Sequence, residues 1–78
     1  MNKAQELFFK ASCNNLGFVK LLRAMEYEAS CGNFSTEVPD QFFTYFDMDL
    51  VFELMRLNGF HVYQKEGVSY VSWLPQDV

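Results

Sequence analysis

The stretch "FHVYQKEGVSYVSWL", residues 60–74, constrains the fold more than any other. Two runs rich in β-branched and aromatic residues flank Glu66-Gly67. A two-residue loop of this kind joins antiparallel strands. It sets Lys65 opposite Val68, Tyr63 opposite Tyr70 and His61 opposite Ser72. Side chains alternate between the faces of a strand. Phe60, Val62, Val71 and Trp73 then share one face, apolar enough to be a core face. His61, Tyr63, Tyr70 and Ser72 share the other. A three-residue loop would slip the register by one and mix the two sets.

An apolar sheet face needs other elements to cover it. Residues 3–12 carry Ala4, Leu7, Phe8 and Ala11 at helical spacing. Asn14 or Asn15 is placed to cap a second helix, whose stripe runs from Leu16 through Phe18, Leu22, Met25 and Ala29. Gly17 weakens its first turn and Gly32 suits its C-cap. Two helices are expected, with one kinked helix as the alternative. In "NFSTEVP", Phe34, Thr36 and Val38 alternate with Ser35 and Glu37, a short strand pattern. Val38 precedes proline and is pushed towards extended geometry, and Pro39 suits the first turn of a helix.

Residues 40–58 read as a helix ended by Gly59 in "LNG". At 100° per residue, Phe42, Phe43, Phe46, Leu50, Leu54 and Leu57 gather on one side, the expected core face. Asp49, Glu53 and Arg56 form a polar strip. Beyond it lies a second apolar group, Tyr45, Met48, Val51, Phe52 and Met55. In an alternative, Asp47 caps a shorter helix and "PDQFFTYF" forms a separate turn. The expected fold is α+β: two N-terminal helices, a short strand, a central helix and a C-terminal β-hairpin. Together these make a small three-stranded antiparallel sheet packed on helices. It forms a single compact domain over residues 1–78, with 75–78 a loose tail.

Two patterns in this order, "LLRAMEYEASCGNFSTEV" and a helix ending "LMRLNGF", precede a strand pair ending "YVSW". Together, over roughly residues 20–73, they resemble small accessory or early proteins of tailed bacteriophages. The resemblance rests on the glycine after the second helix, the "NGF" helix stop and the terminal "SW". It implies an accessory protein acting in the host cytoplasm, and it implies no catalytic residues.

Composition limits the chemistry. The 78 residues are 50% hydrophobic and 18% aromatic. A chain this short buries only about 60% of its unfolded surface, and large rings offset that while leaving apolar surface over. Ten acids against six bases give a net charge of −4, which disfavours direct nucleic-acid binding. No apolar run is long enough for a transmembrane helix. The segment "MNKAQELFFKAS" lacks the pattern of a signal peptide. In a reducing compartment Cys13 and Cys31 are expected as free thiols. They and His61, the single histidine, lack zinc-ligand spacing. His61 also has no serine or cysteine motif beside it to activate. Asp47 and Asp49 are two apart and do not face each other on a helix. No cofactor, metal or enzymatic activity is expected.

The acids are unevenly placed. Between Arg23 and Arg56 stand Glu26, Glu28, Glu37, Asp40, Asp47, Asp49 and Glu53, with no basic residue among them. Such a segment is either a solvated face or a surface that steers towards a basic partner. The expectation is a small acidic protein-binding module, a modulator or inhibitor of a host protein, or a partner of a phage protein. The candidate site is Tyr45, Asp47, Met48, Asp49, Phe52, Glu53 and Met55, an aromatic and methionine centre with an acidic rim. The alternatives are a self-assembling accessory protein, a homodimer through the second helix face, and a mimic of DNA.

Overall fold

The computed structural model describes residues 2–74. In chain order the elements are α1 (Lys3–Ser12), α2 (Leu16–Ser30), β1 (Ser35–Glu37), α3 (Phe42–Tyr45), α4 (Met48–Leu57), β2 (His61–Lys65) and β3 (Val68–Ser72). The class is α+β. One antiparallel sheet has the order β1-β3-β2. α2 packs against β1, α4 packs against β2, and the two helices pack on each other. The core lies between them and the sheet, formed by Phe18, Leu21, Met25, Val38, Met48, Val51, Met55 and Val71. The tail expected at 75–78 lies outside the described residues.

Local signals place the helix ends. Asn2 opens α1 with a capping box: the Gln5 amide donates to Asn2 Oδ1, and the Asn2 amide donates to Gln5 Oε1, both at 2.8 Å. Asn15 caps α2 by accepting from the Phe18 amide at 3.0 Å, so α1 and α2 are separate helices. α4 stops in a Schellman motif. The Phe60 amide donates to the Met55 carbonyl and the Gly59 amide to the Arg56 carbonyl, each at 3.0 Å. The motif needs a left-handed residue, and Gly59 supplies it with φ at 94°.

The hairpin has the two-residue loop. Glu66 and Gly67 have φ of 54° and 78°, positive at both central positions as a type I′ turn requires. Lys65 pairs with Val68, Tyr63 with Tyr70 and His61 with Ser72. Val71 is fully buried, and Phe60, Val62 and Trp73 pack partly against the core, so the expected core face faces the helices. Ser72 is on the other face and yet buried. Its hydroxyl donates to the Phe34 carbonyl at 3.0 Å and accepts from the Leu74 amide at 3.2 Å.

The central segment takes its divided form. Phe46 is extended (φ −131°, ψ 151°), and so is Asp47 (φ −75°, ψ 93°), whose carboxylate accepts from the Leu50 amide at 3.4 Å. The break releases Phe42, Phe43 and Phe46 from the helical phase of α4. It also reverses the expected faces. Phe43, Leu50 and Leu57, expected in the core, are 48%, 46% and 60% exposed, whereas Met48, Val51 and Met55 are 6%, 1% and 0% exposed. One cause is visible at Gly17. A Cβ there would stand 2.8 Å from Val51 Cγ2 and 3.0 Å from Phe46 Cγ. The absent side chain is a notch in α2 into which the Val51 face of α4 closes.

Candidate functional site

α4 carries five of the seven candidate residues, and its exposed surface has two parts. Leu50, Leu54 and Leu57 recur at four- and three-residue spacing and form one stripe. Leu50 and Leu57 are exposed, and Leu54 is half-buried against the core. By the same 100° step, Asp49 and Glu53 flank the stripe on the side of Leu57. Glu53 also meets Arg56 at 3.4 Å, in a pair of which both members are about half exposed. Such a pair contributes little to stability and leaves the carboxylate available to solvent.

The stripe continues into a groove of about 750 Å³ between α1 and the end of α4, lined by Phe8, Phe9, Leu57 and Phe60 with Gln5 and Arg56 at its polar side. α1 is held there lightly. Asn58 Nδ2 donates to Ser12 Oγ at 3.0 Å and to the Leu54 carbonyl at 2.8 Å, tying the end of α1 to the cap of α4. Phe9 meets Phe18 edge-on at 6.0 Å. Leu7 on the same helix is left 56% exposed.

The seven residues expected to form one site are divided by the fold. Asp49 and Glu53 are exposed beside the leucine stripe. Tyr45 ends α3 and is 76% exposed. Asp47 is exposed but serves as the N-cap of α4. Phe52 is half-buried, with the Phe43 ring against it at 6.1 Å. Met48 and Met55 are core residues, and their expected place in a partner surface is corrected. The break shows why: once α4 begins at Met48, Phe42, Phe43 and Phe46 no longer add to the leucine side, and the side carrying Val51 is the one that closes on the notch at Gly17. Phe43, Leu50 and Leu57 were missed because a helix running unbroken from residue 40 counted them as core. The capping alternative at Asp47 held the signal that recovers them.

The acidic middle is likewise divided. Glu26 and Glu28 belong to α2, Glu37 to β1, Asp40 to the turn before α3, and Asp49 and Glu53 to α4. Glu28 accepts from Asn33 Nδ2 at 2.9 Å. Among the described residues, no group of three or more His, Cys, Asp or Glu side chains is placed to hold a metal ion. None of the helices described is long and apolar enough to cross a membrane. Cys13 is half-buried, Cys31 exposed, and both are free thiols. Comparison with protein-family models, with curated proteins and with solved structures finds no match.

Proposed function

We propose that this chain is a small acidic, non-enzymatic protein-binding module, encoded by a phage and acting in the host cytoplasm as a modulator or inhibitor of a host protein. The observation that carries this is the exposed Leu50–Leu57 stripe of α4 with Asp49 and Glu53 along its edge. Leucines at four- and three-residue spacing bury well in an apolar groove. Adjacent carboxylates steer the encounter towards a basic rim and fix its orientation. Tyr45 and Phe43 add exposed aromatic surface on the neighbouring turn. The acids of the middle segment stand on separate elements, which favours a local acidic rim over a phosphate-like row.

The test is capture of a host protein from bacterial lysate by immobilised wild-type chain, followed by the same capture with Leu50→Ala/Leu57→Ala and with Asp49→Lys/Glu53→Lys. Asp47 stays in place because it caps α4. Both double variants are expected to lose the captured protein while remaining folded. Retention of the same protein by both would remove this surface from the proposal.

A further inference from the structure

The sheet has two edges, and they differ. β1 is three residues long, has Glu37 at its end, and runs into Pro39 two residues later. β2 is five residues long, keeps regular register with β3 throughout, and contains no proline and no acid. Exposed edges are ordinarily guarded by short length, proline, bulges or charge. β1 has three of these features. β2 has only Lys65, at its turn end.

The hydrogen bonds reveal which backbone groups of β2 are unused by its own sheet. The Val38 amide donates to the Ser69 carbonyl at 2.9 Å and the Trp73 amide to the Phe34 carbonyl at 3.0 Å. The odd residues of β3 therefore turn their backbone groups to β1, and Tyr70 and Ser72 turn theirs to β2. Their partners Tyr63 and His61 face inward in return. Val62 and Gln64 are left with N–H and C=O groups pointing out of the sheet. On the open face, the Tyr63 ring stacks on Tyr70 at 5.3 Å and 16°, and on His61 at 5.4 Å and 25°. This aromatic ladder runs to the β2 edge and stops there.

We propose that two copies of the chain pair antiparallel through β2, with the two-fold axis at Tyr63, to form one continuous six-stranded sheet. In this register Val62 exchanges N–H···O=C bonds with the partner's Gln64, and Gln64 with the partner's Val62, so the outward groups of both residues are satisfied. Tyr63 meets the partner's Tyr63 at a site without backbone bonds, where side chains approach most closely. The ladder then continues from Tyr70 through Tyr63 into the second copy. A second copy is the occupant because the edge is complementary to itself. Lys65 falls opposite the partner's His61, so the lysines are kept apart. In a chain of net charge −4, an acid-free strand also lets two copies meet without opposed carboxylates. α4 packs beneath β2, so the pairing sets the two α4 helices in the same layer. The leucine stripe of α4 is a separate surface, and Leu50→Ala/Leu57→Ala leaves the dimer unchanged whatever the fate of host-protein capture.

Sedimentation equilibrium of the full chain, from micromolar to millimolar concentration, measures the dimer. Gln64→Pro deletes an outward N–H, at a place where edge strands accept proline, together with the side-chain bond from Gln64 Nε2 to Ser69 Oγ. It is expected to raise the dissociation constant about tenfold or more while far-UV circular dichroism stays unchanged. A second measurement is independent of that variant. In a Cys13→Ala/Cys31→Ser background, Tyr63→Cys crosslinks two copies under mild oxidation and Lys65→Cys does not. A chain that stays monomeric at millimolar concentration overturns the proposal, even if it adds an unrelated peptide at β2. So does a dimer indifferent to Gln64→Pro, or one crosslinked equally at both cysteine positions. If Gln64→Pro does not fold, the crosslinking pair decides.

Discussion

α4 has two apolar faces of similar chemistry and opposite fate. Met48, Val51 and Met55 are sealed against α2 and the sheet, while Leu50 and Leu57 stand in solvent beside Asp49 and Glu53. Hydrophobicity does not separate them, since burial of either row removes comparable apolar area from water. Fit separates them. The buried row meets the notch at Gly17 and the β2 side of the sheet, whereas in the leucine row Leu54 only partly reaches the core and Leu57 lines the open groove beside α1. A small domain with apolar surface to spare therefore keeps one face for stability and has the other free for association.

The largest expected break in this contrast is Met55→Ala, which opens a cavity at a fully buried position. It should cost about 2–5 kcal/mol, measured by urea unfolding. A cost below ~1 kcal/mol would mean that the sealed face is not sealed. Next is Gly17→Ala. In an open helix this change stabilises by about 1 kcal/mol, but here the new methyl meets Val51 and Phe46. Overpacking should dominate and destabilise the fold by about 1–2 kcal/mol in the same assay. A rise in stability would show that α2 and α4 do not approach over the notch.

Asp47→Ala sharpens the comparison at its origin, the break that sets the phase of α4. As an N-cap, Asp47 should be worth about 0.5–2 kcal/mol, and thermal melting should shift down. Were the segment one continuous helix, alanine at that place would raise the melting temperature instead. The smallest effect is expected from Leu57→Ala. An exposed leucine with few neighbours should change stability by no more than about 0.5 kcal/mol, although it should weaken partner capture. A loss like that of Met55→Ala would place Leu57 in the core after all.

Much of the fold was legible because its signals are local. Asn15 before Leu16, Gly32 and Gly59 after their helices, and Glu66-Gly67 between alternating runs each act over a few residues, through hydrogen bonds or allowed dihedral angles. The Tyr63–Tyr70 register follows from the loop length alone. The candidate site was less legible. Asp49, Glu53 and Tyr45 are on the surface, as their side chains suggested, but Met48 and Met55 are in the core and Leu50 and Leu57 are outside it. A helical wheel places residues relative to one another. It does not say which side faces the rest of the molecule, and the break at Asp47 takes Phe42, Phe43 and Phe46 off the side on which they were counted.

The amino-acid sequence by itself determined the class, the junction of α1 and α2, the glycine stops after α2 and α4, the hairpin and its register, and the presence of two apolar faces on α4. These rest on backbone geometry and on interactions between near neighbours in the chain. Only the tertiary structure decided which face is buried, how the acids of residues 26–53 are shared among elements, and that β2 ends the sheet as an open edge. Those outcomes depend on contacts between residues far apart in the chain, such as Gly17 with Val51 and Ser12 with Asn58. The hydrophobic effect has no direction of its own, and close packing supplies it.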